Sequence, residues 1–263
     1  MKTKILILTL TLFVNTVSFS QNDYFKGKRL YCDMPKDSES KKRFKLGIEC
    51  IQRNLYIGAA NKIFQELIAK DSTFCDAYFF AGYTFKISNM PEDALFMYYM
   101  ADSLSNNKSI EFKQNLAALS LQIGNDTFAR KKFKEMTTYF PGSPEGFYGI
   151  ALSSTTIGDV DYGLININLA EARYPTENKD AQFLKAILLN LNGKYQESIV
   201  YFEKVQSEFS KDDHFNGSYA LSLYEVATIN NDEKMLKKAR KHYDKVINKS
   251  NLTDYIKAKF EKT

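Results

Sequence analysis

The stretch CDAYFFAGYTFKISNMPEDALFMYYMA, Cys75 to Ala101, decides how the rest of the chain is read. It carries two small residues, Gly82 and Ala94, 12 positions apart. Ala94 is followed four positions later by Tyr98 and seven positions later by Ala101, offsets that lie on one face of a helix. Between the two small residues, Asn89-Met90-Pro91 is a turn signal. The stretch reads as two antiparallel helices joined by a short turn, nested closely where the side chains are small.

The same pattern recurs on both sides. The further pairs are Gly47 and Ala60, Ala117 and Ala129, Ala151 and Gly163, Ala186 and Ser198, and Ala220 and Ala239. From one pair to the next the gap is 22 or 23 residues, so the repeat is 34 or 35 residues long. Each second small residue is followed at +4 by Phe64, Phe133, Ile167, Phe202 or Tyr243, and at +7 by Leu67, Met136, Ala170, Val205 or Val246. Turn signals fall between the two small residues of a pair at Gly124-Asn125-Asp126, Gly158-Asp159 and Asn192-Gly193. Pro141 and Pro175 end second helices, because proline lacks a backbone donor and restricts the residue before it. One hairpin cannot bury its apolar face alone, whereas a stack of hairpins buries a continuous core.

These residues resemble the tetratricopeptide repeat (TPR), whose pattern is met best by Tyr78, Ala81-Gly82, Phe85, Ala94, Tyr98 and Ala101. The third and fourth units add Ala129, Phe133 and Pro141, then Gly163, Ile167 and Pro175. The resemblance spans 43–250 and implies an all-α superhelical solenoid of six TPR-like helix-turn-helix repeats. Tryptophan is absent, the terminal proline occurs in two units, and the last unit has seven extra residues around Ile229 to Met235. Leu252, Tyr255, Ile256 and Phe260 share one helical face, so 251–263 is expected to be a C-terminal capping helix. The polar, aperiodic segment 21–42 is expected to be ordered only locally.

Composition excludes other classes. Of 263 residues, 44% are apolar and 14% aromatic, with 12 Gly and 5 Pro, so the chain can bury a core and is neither disordered nor collagen-like. Residues 1–20 have the parts of a secretory signal: Lys2 and Lys4, the apolar run Ile5 to Val14, and Ser18-Phe19-Ser20 before Gln21. That run is too short to cross a bilayer, which needs ~20 residues. The expectation is a chain exported to the periplasm or the outside, soluble after signal cleavage. Losing Lys2 and Lys4 lowers the formal charge from +5 to +3, which gives no reason to expect nucleic acid.

An oxidising compartment lets disulfides persist, and three cysteines leave at least one unpaired. Cys50 is offset from Cys75 by roughly half a helix length, too far to bridge, so the preferred pair is Cys32 with Cys75. A Cys32 to Cys50 bridge and three free thiols stay open as alternatives.

No catalytic motif is present: there is no Cys-x-x-Cys, no Gly-rich phosphate loop and no His-Glu-x-x-His, and two histidines cannot build a histidine-rich metal site. No cofactor and no metal are expected. Asp212-Asp213-His214 reads as a helix start, with a metal-dependent enzyme around Asp212 and His214 as the competing reading. His242 sits among Lys237, Lys238, Arg240, Lys241 and Lys245, read as a solvated basic face. That face could meet an acidic partner or lipid phosphate, which makes an accessory subunit peripherally docked on a membrane another alternative.

The family resemblance implies a peptide or protein segment held in a groove lined by first helices. The residues expected to face it are Phe79, Tyr83, Lys86, Gln114, Tyr148, Phe183, Asn190 and Tyr224, with Ile187 and Leu221 beside them. The family's chaperone-binding members hold a terminal carboxylate with Lys and Asn in these places. Phe79 and Tyr83 stand there instead, so an aromatic groove for apolar or extended segments is expected rather than a carboxylate clamp. The same side chains could instead fill a tightly wound superhelix. The leading functional expectation is a non-catalytic exported scaffold or adaptor, serving envelope assembly or secretion.

Overall fold

The computed structural model describes residues 24, 25, 27, 29–54 and 56–261; the expected signal segment 1–20 lies outside them. Among the described residues the backbone is helical, with no strand, and twelve helices pair into six hairpins. The hairpins fall into two compact units, one ending at Phe140 and one beginning at Pro141.

The first unit holds α1 (Ser38–Gln52) with α2 (Ile57–Lys70), α3 (Cys75–Ile87) with α4 (Pro91–Leu104), and α5 (Ile110–Gln122) with α6 (Asp126–Tyr139). The second holds α7 (Pro144–Ile157) with α8 (Val160–Glu171), α9 (Lys179–Leu191) with α10 (Tyr195–Phe209), and α11 (Asp213–Asn230) with α12 (Glu233–Asp244). A 3₁₀ turn (Lys249–Asn251) and the short α13 (Asp254–Phe260) follow. Helices pack most extensively within their hairpins, except α2, which packs equally against α1 and α3.

Every hairpin turn contains an Asn or Gly in the left-handed region, Asn54, Asn89, Gly124, Gly158, Gly193 or Asn231, and the first turn adds Tyr56 at φ 58°. Asparagine and glycine are the residues that adopt this conformation at least cost, so the chain reverses where they occur. Helix starts are set by side chains that accept from free amides. Asp37 accepts from Ser40, Ser109 from Phe112, Asn178 from Ala181 and Asp232 from Met235. Asp37 thereby starts α1 at Ser38, five residues before the first expected repeat residue, Arg43.

The small-residue register is also the packing register. Ala60, Ala94, Ala117, Ala129, Ala151, Ala186, Ser198, Ala220 and Ala239 have no exposed surface, nor do Phe64, Tyr98, Phe133, Ile167 and Phe202 four positions along. The reason is closest to hand at Gly82, where a Cβ would lie 2.8 Å from Tyr98 Cδ1 and 3.2 Å from the Ala94 carbonyl oxygen. The seven extra residues of the last hairpin leave this register intact. From α9 to α10 the helix starts are 16 apart, and from α11 to α12 they are 20 apart, so the first helix and its turn together gain four residues, all of them in the longer α11. Ala239 lies six residues into α12 whereas Ser198 lies three into α10, so the other three lie at the start of the second helix, ahead of its small residue. At 3.6 residues per turn, each addition is close to one turn, which returns both apolar faces to the same side.

The segment before α1 is more ordered than its composition suggests. Tyr24 is fully buried, and Phe25, Leu30, Tyr31, Cys32 and Met34 pack against the core of the first unit. At the other end, Leu252, Ile256 and Phe260 are buried and Phe260 stacks on Tyr243 with ring centroids 4.5 Å apart. Tyr255, expected on the same buried face, is 51% exposed and donates its hydroxyl to Glu225. The helix begins at Asp254, capped by Thr253, so Leu252 lies outside it and Ile256 and Phe260 form its buried face. No helix among the described residues is long and apolar enough to cross a membrane.

Candidate functional site

The inner face of the first unit is built on α3 and α5 and is already occupied. Phe79 has no exposed surface; its ring stacks on Phe112 at 4.8 Å and meets Tyr24 at 5.3 Å. Tyr83 is half-buried with the Phe25 ring 5.1 Å away. Lys86 is exposed at the end of α3, and desolvation by the surrounding protein lowers the pKa of its ammonium. Gln114 is 6% exposed. These side chains were expected to face a partner, and instead Phe79 and Tyr83 meet Tyr24 and Phe25 of the same chain.

A polar anchor completes the contact. Asp76, with no exposed surface, accepts from the Tyr24 hydroxyl at 2.9 Å, from the Tyr31 amide at 3.2 Å and from the Cys32 amide at 2.9 Å. Burial raises its pKa, and the three donors oppose that rise. The Tyr31 hydroxyl donates to Glu111, and burial with that neighbouring carboxylate pushes the phenol far upward. Cys32 is joined to Cys75 in a disulfide with the Cα atoms 5.7 Å apart, and Cys50 is a free, half-buried thiol. The one cluster of possible metal ligands among the described residues, Cys32, Cys75 and Asp76, has both its sulfurs in this bond.

In the second unit, Tyr148 and Phe183 lie in the interior at 3% and 1% exposure, with Phe183 packed on Phe209 at 4.5 Å. Burial likewise raises the Tyr148 phenol. Tyr224 is covered by Phe260, ring centroids 5.3 Å apart. Asn190 donates its amide to the Ser218 carbonyl at 3.0 Å and to Ser222 Oγ at 2.7 Å. It does so at the edge of a cavity of about 300 Å³ on the inner faces of α7, α9 and α11. The walls are apolar at Ile187, Leu191, Leu221, Leu252 and Ile256, with Thr155, Tyr195, His214 and Ser218 as polar groups. Burial raises the Tyr195 phenol, helped by Tyr255 and Glu225.

Asp212 and His214 do not converge. The Asp212 carboxylate accepts from the Phe215 amide at 2.8 Å as the cap of α11. Asp213 accepts from the Ile247 and Asn248 amides at 2.8 and 2.9 Å, and the His214 side chain lines the cavity. His242 is not on the solvated face but 3% exposed, its Nδ1 2.9 Å from Asn216 Oδ1. Burial and then Lys245, Lys238 and Lys241 lower its pKa to about 4.

Sequence reasoning missed two groups. Asp76, Glu111 and Tyr24 gave no periodic signal, although three aromatics in the short run before Cys32 were a usable hint. The other is a closed ring of charges in the first unit. Lys113 Nζ lies 3.0 Å from Asp102 and 2.9 Å from Glu135, and Lys132 Nζ lies 2.8 and 2.9 Å from the same two carboxylates. Charged residues on helices read as solvent-facing, yet Lys113 is 1% exposed.

No family model and no curated protein matches the chain. Solved structures do. A tetratricopeptide repeat protein from Parabacteroides merdae is 14% identical over 86% of this chain and 98% of its own, with a TM-score of 0.62. MamA from Desulfovibrio magneticus, from its residue 41 to its end, is 14% identical over 68% of this chain and 99% of its own, TM-score 0.60. YrrB, described as a TPR protein with an unusual peptide-binding site, is 15% identical over 70% and 92%, TM-score 0.56. At such identities the likeness is one of fold, and with six hairpins nested on small residues it shows that this chain has the tetratricopeptide-repeat fold.

Proposed function

We propose that the chain is an exported, non-catalytic scaffold that holds a segment of a partner protein in the cavity of its second unit. The observation that carries this reading is the cavity on the inner faces of α7, α9 and α11, whose apolar walls end in Asn190, Ser218 and His214. Its volume of about 300 Å³ suits one or two side chains of an extended segment, with neighbouring amides and hydroxyls to orient it. Affinity comes from burying those side chains, at ~25 cal/mol per Å² of apolar area before ordering costs. The place of action, in envelope assembly or secretion, rests on the signal-like residues 1–20.

A photo-crosslinking residue at Tyr195 is expected to capture a discrete partner from the native compartment. Ser218→Phe, which fills the cavity, is expected to abolish that capture with an unchanged melting temperature. Capture that persists in a folded Ser218→Phe protein removes the cavity from the function.

A second reading is docking on an anionic membrane surface through α12. Lys234, Lys237, Lys241 and Lys245 are exposed at spacings of three and four, which makes one stripe. Vesicles containing phosphatidylserine, sedimented at low and at physiological salt, test it. Equal binding to neutral vesicles counts against this stripe as a docking face.

A further inference from the structure

The inner face of α3 and α5 has the parts of a peptide-binding site. It has a slot for an aromatic side chain, where Tyr24 stacks on Phe80 with centroids 5.2 Å apart and meets Phe79 and Phe112 edge-on at 5.3 and 5.8 Å. A neighbouring place takes Phe25 against Tyr83. It also has a buried carboxylate, Asp76, that reads two consecutive backbone amides, and a second carboxylate, Glu111, that reads a tyrosine hydroxyl. Gly27, at φ 65°, turns the segment between the Tyr24–Phe25 pair and Tyr31, with its amide donating to the Tyr24 carbonyl at 2.8 Å. A helix face that only needed covering would be met by apolar packing. Backbone amides matched to one carboxylate fix the register of a segment, and phenol hydroxyls matched to Asp76 and Glu111 select tyrosines within it.

We propose that this face is a peptide-binding site loaded in cis by residues 24–32, that its ligand class is a short segment with an aromatic pair, a glycine turn and a following tyrosine, and that the Cys32–Cys75 disulfide keeps it closed. The tether acts by effective concentration: a ligand linked to its own site outcompetes a free one at millimolar levels with no change in any contact. Opening it takes a dithiol. One thiolate of the reductant attacks Cys32 Sγ, the accessible end, and Cys75 leaves as a thiolate that takes up a proton. The second thiol of the reductant then closes its own disulfide and releases the Cys32 thiol, so two electrons pass from dithiol to protein. Cys75 is fully buried with its sulfur 3.7 Å from Asp76 Oδ2, which disfavours a thiolate there. The site is therefore closed in the oxidised protein under mild reductants.

The site shares no residue with the cavity at Ile187 and Asn190, so this inference and the scaffold reading fail separately. The probe is a fluorescein-labelled peptide of residues 21–34 with Ser in place of Cys32, followed by anisotropy on the full chain. Oxidised wild type is expected to show no saturable binding. The Tyr24→Ala, Cys32→Ser double variant is expected to bind it saturably, and about tenfold or more weakly when the peptide carries Tyr24→Ala. A folded double variant that binds neither peptide overturns the proposal, as does equal binding by oxidised wild type. Because the variant could unfold, the wild type is also compared with and without dithiothreitol by hydrogen exchange. The Tyr31 and Cys32 amides are expected to exchange about tenfold faster on reduction while Leu116 and Leu119 stay protected. Loss of protection in α5 together with the segment would make residues 24–32 a part of the core and would overturn the proposal equally.

Discussion

At the scale of single residues, function and stability depend on side chains whose neighbours leave no slack. Gly82→Ala places a methyl group against the Tyr98 ring and the Ala94 carbonyl, and is expected to cost ~1 to 3 kcal/mol by overpacking, read as a lower melting temperature. Phe133→Ala removes a fully buried ring and is expected to cost ~3 to 5 kcal/mol by lost transfer energy and a cavity. His242 gives a pH dependence. Its folded pKa of about 4 lies below the ordinary value of 6.5, so between those values the unfolded chain binds more protons. The stability it contributes is complete above pH 6.5 and is lost as pH falls toward 4. Thermal melts of wild type against His242→Gln should diverge across that window, and parallel profiles would refute the assignment. The position was legible as a histidine on a basic helix, but not its burial, because the Asn216 that receives it comes from α11.

At the scale of elements, the hairpin follows from local rules that act within about 35 residues: small residues where helices nest, Asn or Gly where the chain reverses, and caps at the helix starts. Because these rules are local and repeated, the fold class and the repeat register were readable without coordinates. Elements joined by charge were not. The ring of Lys113, Lys132, Asp102 and Glu135 draws on α4, α5 and α6, and each carboxylate faces both amines. Lys113→Met is expected to cost ~3 to 5 kcal/mol, since it leaves Asp102 buried with half its compensation gone. Denaturant unfolding measures this, and Asp102→Asn combined with Lys113→Met should recover part of the loss if the cost is the stranded charge.

At the scale of the whole molecule, both terminal segments lie on inner helix faces of their own units, Tyr24, Phe25, Tyr31 and Cys32 on α3 and α5 and the region of Leu252 on Gly217 of α11. The Cys32–Cys75 bond closes a loop spanning 43 positions, and chain entropy alone assigns such a loop about 4 kcal/mol. Replacing both cysteines with Ser is expected to lower stability by ~2 to 4 kcal/mol, read by urea unfolding of the full chain. A smaller change would mean that the aromatic and carboxylate contacts of the segment suffice without the bond. The candidate groove divides in the same way between local and non-local causes. Ile187, Asn190 and Leu221 fall where helical spacing alone places them, around the cavity of the second unit. Phe79 and Tyr83 also sit on the inner face, yet what they meet is a segment whose path depends on Asp76, on Glu111 and on a cysteine 43 positions away. Periodicity reports which face of a helix is apolar, since that is set every 3.6 residues along one element. Which surface then covers that face is a competition between distant parts of the chain and solvent, and only the assembled tertiary structure decides it.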